Sequence, residues 1–136
     1  MRLYNFGLWK LMEEQVKTPH KIWAVVRQQF EGFHQWKDAP EEVSFLRNRH
    51  RHLFKVKVWI EQKHNDRDIE YFIFQRFVSL KIVDMADDLK LCQDQDGGAS
   101  CETMATWLYY KIKEKYMKRQ IKVEIYEDNE NGAIAE

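Results

Sequence analysis

Between residues 54 and 61 the apolar and charged positions take turns. Phe54, Val56, Val58 and Ile60 share one parity, and Lys55, Lys57 and Glu61 the other, the period of a half-buried antiparallel strand. A second alternating run, Ile121, Val123 and Ile125 against Lys122 and Glu124, predicts a final strand. "KIWAVVRQQFEGF" over 21–33 is rich in aliphatic and aromatic residues, and Gly32 near its end predicts a strand with a bulge or bend. "DIEYFIFQRF" over 68–77 reads as another strand, joined to the run before it through the polar turn "QKHNDR" as a hairpin.

Helical spacing appears elsewhere. Met104, Ala105, Leu108 and Ile112 recur every three to four residues, with Ser100 placed as N-cap and Glu102 in the first turn. "VSLKIVDMADDLKL" reads as partly helical, and residues 3–16 carry Leu3, Leu8, Trp9, Leu11 and Met12 at loosely helical spacing. "HQWKDAPEEVS" and "QDQDGGAS" are loops. Strands, then helices, then a strand predict an α+β fold with helices on one face of an antiparallel sheet.

At 136 residues, 44% of them hydrophobic, the chain suffices for one core and reads as a single domain over 1–136. Its 22 basic and 22 acidic side chains cancel, so no overall field recruits polyanions. No apolar run reaches the roughly 20 residues of a membrane span, and the start lacks the pattern of a signal peptide. Cys92 and Cys101 form neither a disulfide framework nor a thiolate zinc motif, which predicts a cytoplasmic protein in a reducing compartment.

The parity of the best strand exposes an anomaly. His50 and His52 stand on the row of Phe54, Val56, Val58 and Ile60, so both rings point to the side of the sheet that is otherwise apolar. Residues two apart on a strand lie about 6.6 to 6.8 Å apart at Cα, close enough for two imidazoles to converge on one ion. His34, on the neighbouring strand candidate, can supply a third ligand, while His20 and His64 sit in polar connections. The competing reading of "RNRHRH" is a basic surface patch in which Arg47, Arg49 and Arg51 make the contacts. Glu127 continues the row of Ile121, Val123 and Ile125 where that strand ends. It is either a solvated strand end or a carboxylate aimed at a ligand with paired N–H donors, such as an amino-pyrimidinone ring.

Together these residues resemble the 6-pyruvoyltetrahydropterin and 6-carboxytetrahydropterin synthases, the latter of the queuosine pathway. "FEGFH" is similar to the family motif that ends in the first zinc histidine, at His34, and "HRHLFKVKVWIE" to its His-Gly-His strand, at His50 and His52. "ASCETMATWLYYKI" matches the start of the family's last helix at Glu102, Ala105 and Trp107. "VEIYEDNENGAI" matches the strand carrying the pterin-anchoring glutamate at Glu127, with Gly132 where a small residue is frequent. The resemblance covers residues 21–136, which leaves 1–20 as an extra N-terminal segment.

The resemblance implies a T-fold: an antiparallel sheet with two helices on one face, closing into a barrel with neighbouring subunits, usually a hexamer of two stacked trimers. It implies a zinc ion on His34, His50 and His52, a pterin held by Glu127 and Glu102, and a lyase reaction on dihydroneopterin triphosphate or a related pterin. The departures lie in the acid/base groups. Leu46 stands about where the family has its catalytic cysteine, and Asp87 and Asp88 fall near the family's Asp-His pair, with Asp88 in place of the histidine. Asp87, Asp88, Cys92 and Cys101 are the candidates to replace the missing groups, and Arg51 replaces the glycine between the zinc histidines. A zinc-dependent synthase-like enzyme is therefore the leading expectation. The alternative is a zinc-containing pterin- or purine-binding protein without synthase activity, and a nucleic-acid module built on "RNRHRH" ranks last.

Overall fold

The computed structural model describes Gly7 and residues 21–136. The helix expected over 3–16 lies outside the described residues, apart from Gly7, which is helical. The fold is α+β. Four strands, β1 (Ile22–His34), β2 (His50–Gln62), β3 (Ile121–Glu127) and β4 (Asn131–Ala135), form one antiparallel sheet in chain order. Two long helices, α1 (Tyr71–Asp88) and α2 (Cys101–Lys115), separate β2 from β3, and a 3-10 segment, Glu41–Arg47, interrupts the β1–β2 connection. No helix among the described residues is long and apolar enough to cross a membrane.

Register explains how one core forms. Directly opposed residues of an antiparallel pair share a face, and Ala24, Val26 and Phe30 oppose Ile60, Val58 and Phe54, while Ile121, Val123 and Ile125 oppose Ile60, Val58 and Val56. This row packs against Phe74, Val78, Ile82 and Met85 of α1 and Met104, Ala105, Leu108 and Ile112 of α2 in a single cluster. The predicted N-cap is present: the Ser100 hydroxyl accepts the Thr103 N–H at 3.1 Å. The other sheet face is amphipathic. There Trp23 meets Trp59 edge to face at 6.3 Å, and the buried Glu124 accepts from both Trp59 Nε1 and the Tyr126 hydroxyl.

Two expectations are corrected. Residues 71–77 of the expected strand over 68–77 are the first part of α1, and Glu70 caps that helix by accepting the Phe72 and Ile73 N–H groups at 3.0 Å. Gly32 does not mark a bulge, because β1 stays in unbroken register with β2 through Gly32, Phe33 and His34. A Cβ at Gly32 would lie 2.9 Å from Phe54 Cε2 and 3.1 Å from Phe30 Cε2, so glycine admits the stacked Phe30–Phe54 pair beside it. β4, short and built around Gly132, Ala133 and Ala135, adds a strand that the alternation did not reveal.

Candidate metal centre

The same register that builds the core carries its row past Phe54 to the site. His52 opposes Gly32, His50 opposes His34, and Glu127 opposes Phe54, so the three imidazoles and the carboxylate stand on the helix-covered face at one end of the sheet. The rings of His34, His50 and His52 are mutually 4.6 to 5.1 Å apart at their centroids, and one ring nitrogen from each lies within 4.8 Å of the others. This cluster can hold a metal ion.

Hydrogen bonds fix which nitrogens converge. His34 Nδ1 is 2.8 Å from the Ala99 carbonyl, His50 Nδ1 is 2.7 Å from the Asn48 carbonyl, and His52 Nδ1 is 2.7 Å from Asp128 Oδ2. Each acceptor takes an N–H, so each Nδ1 donates and each Nε2 of the neutral ring presents its lone pair. Glu127 Oε2 lies 3.2 Å from His34 Nε2 and 3.8 Å from His52 Nε2, and the buried His52 Nε2 has no hydrogen-bond partner. Lone pairs facing one another and a carboxylate oxygen repel unless a proton or a cation lies among them. Burial lowers the His34 pKa, opposed by its bond to the Ala99 carbonyl, which disfavours a proton there. A cation held by these nitrogens would remove the repulsion, and metal-bound imidazoles commonly have this outer set of acceptors.

His34 and His50 of the cluster line a cavity of about 530 Å³ whose lining also includes Leu46, Cys101, Glu102 and Glu127. Thus the two carboxylates expected to bind a ligand, Glu102 and Glu127, meet the histidines in one place. Leu46 reaches it from the 3-10 segment. Asp87 and Asp88 do not line it. Asp88, at the end of α1, accepts from Trp107 Nε1 at 2.7 Å, and Asp87 is exposed. Cys92 is exposed on the loop after α1. Cys101 does reach the cavity, but burial, then Glu127 and Glu102 nearby, push its thiol up to about 12, so it stays protonated at neutral pH.

Asp128 went unread in the sequence. It has φ 50°, and its backbone N–H donates to the Leu53 carbonyl at 2.9 Å while Oδ1 accepts the Leu53 N–H at 2.9 Å. The bond from His52, and then that from Leu53, hold its carboxyl below the ordinary aspartate pKa. The only sequence signal was a turn-type "EDNENG" beside Glu127. The arginines of "RNRHRH" are occupied within the chain: Arg47 by the Ala39 carbonyl and Glu41, Arg51 by Glu31, and Arg49 by the carbonyls of Gly97, Lys90 and Cys92.

The sequence matches no protein-family model and no curated protein at a significant level. Fold and site define an α+β protein with a three-histidine cluster able to hold a metal ion at the wall of a small-molecule-sized cavity.

Proposed function

We propose that this chain is a zinc-dependent protein of the tetrahydropterin-synthase type, with a T-fold, that binds a pterin or a related pyrimidinone-containing small molecule. The convergence of His34, His50 and His52 beside Glu127 carries this reading. Three neutral imidazoles that leave a coordination position open are a ligand set zinc favours at reactive sites. His34, His50 and His52 would hold the ion, which when bound polarises a ligand oxygen as a Lewis acid. Glu127 accepts N–H donors from the ligand ring, and Glu102 adds a second acceptor at the cavity. Among the described residues β1 and β4 are the edge strands of the sheet, which supports a barrel-forming oligomer, a hexamer of two trimers. Internal use of Arg47, Arg49 and Arg51 weighs against a nucleic-acid surface there.

A second reading, a binding protein without synthase activity, is favoured by Leu46 and the protonated Cys101 thiol at the cavity, neither of which can take a proton from a ligand. One preparation tests both. Elemental analysis should find about one zinc per chain, lost in the His50→Ala/His52→Ala double variant. Calorimetry with a pterin should show binding that Glu127→Ala weakens by about 1.5 to 3 kcal/mol. Full metal in the double variant, or no pterin binding by zinc-loaded protein, would overturn the proposal. Release of triphosphate from dihydroneopterin triphosphate selects the enzyme, and its absence selects the binder.

A further inference from the structure

Of the three imidazoles, two rest on backbone and one does not. His34 and His50 donate Nδ1–H to the carbonyls of Ala99 and Asn48, neutral acceptors that no side-chain substitution removes. His52 donates to a carboxylate, Asp128 Oδ2, at 2.7 Å, across 76 residues of chain. Asp128 is held at three points: its N–H on the Leu53 carbonyl, its Oδ1 on the Leu53 N–H, and a left-handed backbone at φ 50° that lifts it out of β3. Leu53 is the next residue after His52, so the carboxylate is locked to the backbone of the strand whose imidazole it orients. The preceding residue, Glu127, faces His34 and His52 on the cavity side.

We infer that Asp128 is the positioning residue of the metal centre: it holds His52 in the Nδ1–H tautomer and aims Nε2 at the ion. This rests on reading the histidine cluster as a metal site. An acceptor-only carboxylate admits one tautomer of the ring it faces, whereas an amide whose N–H₂ faces the ring stabilises the other. A carboxylate behind a ligating imidazole also enriches its electron density, and loss of such a partner typically weakens metal binding about 10- to 100-fold. The β3–β4 turn thereby serves the metal through Asp128 and the cavity through Glu127.

Asp128→Asn tests the assignment, because asparagine tolerates the left-handed backbone and can keep the bond from the Leu53 N–H. Two readouts are taken on full-length protein. In metal-free protein, nitrogen-15 spectra of the imidazoles should show His52 as the Nδ1–H tautomer in the wild type and shifted toward Nε2–H in the variant, with His34 and His50 unchanged as internal controls. In chelator competition, zinc affinity should fall about 10- to 100-fold. An unchanged His52 tautomer overturns the inference, as does equal zinc affinity of wild type and variant. Absence of zinc binding by the wild type removes the metal reading instead, and the metal-free spectra then decide whether Asp128 sets the tautomer.

Discussion

At Gly132 the β3–β4 hairpin leaves no room for a side chain. A Cβ there would fall 2.0 Å from the Ile125 carbonyl oxygen and 2.7 Å from Tyr126 Cα, backbone atoms of the strand to which Gly132 is paired. Neither can give way without opening the β3–β4 hairpin. Gly132→Ala should therefore destabilise the protein by about 1 to 3 kcal/mol, as overpacking does. It should weaken metal binding as well, because Glu127 and Asp128 belong to the same hairpin. An unchanged urea midpoint would refute the close approach. At this scale legibility depended on distance along the chain. His50 and His52 were readable because parity propagates from Phe54, Val56, Val58 and Ile60 within the same strand. Asp128 was not, since its partners His52 and Leu53 are 76 and 75 residues away and its turn directs it back to them. Leu46 was placed by resemblance and does reach the cavity, whereas Asp87 and Asp88 were placed the same way and do not line it.

At the scale of elements, α1 shows how a pattern misleads. Tyr71, Phe72, Ile73, Phe74 and Phe77 are residues that strands prefer, and the apolar positions run around the helix rather than along one stripe. Phe72 is 72% exposed and Phe74 fully buried, although a strand would turn both to the same face. The deciding period, Phe74, Val78, Ile82 and Met85, extends beyond the window 68–77 that suggested a strand. The two phenylalanines give the test. Phe74→Ala should cost about 3 to 5 kcal/mol through the cavity it leaves, while Phe72→Ala should stay within about 0.5 kcal/mol. Equal losses in denaturant titrations would contradict the helix. α2 was readable because Met104, Ala105, Leu108 and Ile112 keep one buried stripe behind a serine cap. β4 was not, because Gly132, Ala133 and Ala135 give little hydrophobic contrast to read.

The whole molecule is α+β: the strand periods of β2 and β3 and the helical period of α2 are plain in the sequence, and β1 and β4 extend β2 and β3 to a four-stranded sheet in chain order. At the end of the sheet remote from the histidines, an ion pair joins the connection that follows β2 to the one that precedes β3. Asp68, after β2, takes both guanidinium nitrogens Nη1 and Nη2 of Arg119, which precedes β3, and also the Lys63 N–H at 2.6 Å. Arg119 further donates to the Glu61 carbonyl at 3.0 Å. The side chains are 11% and 16% exposed, so solvent screens the pair little. The Arg119 bonds, then that from Lys63, hold the Asp68 carboxyl at about 2, against an ordinary value of 3.8. A carboxyl with a depressed folded-state pKa contributes stability that is complete above its unfolded value and is lost as pH falls through the folded one. Asp68 should accordingly stabilise the fold fully above about pH 4 and lose that contribution as the pH falls toward 2. Asp68→Asn should lower stability at pH 7 by about 1.5 to 3 kcal/mol, the range of hydrogen bonds to charged groups. It should also flatten the fall in stability between pH 4 and 2, since asparagine has no proton to take up there. Urea midpoints of the two proteins across that interval decide it, and parallel acid slopes would mean that Asp68 is not the group being titrated.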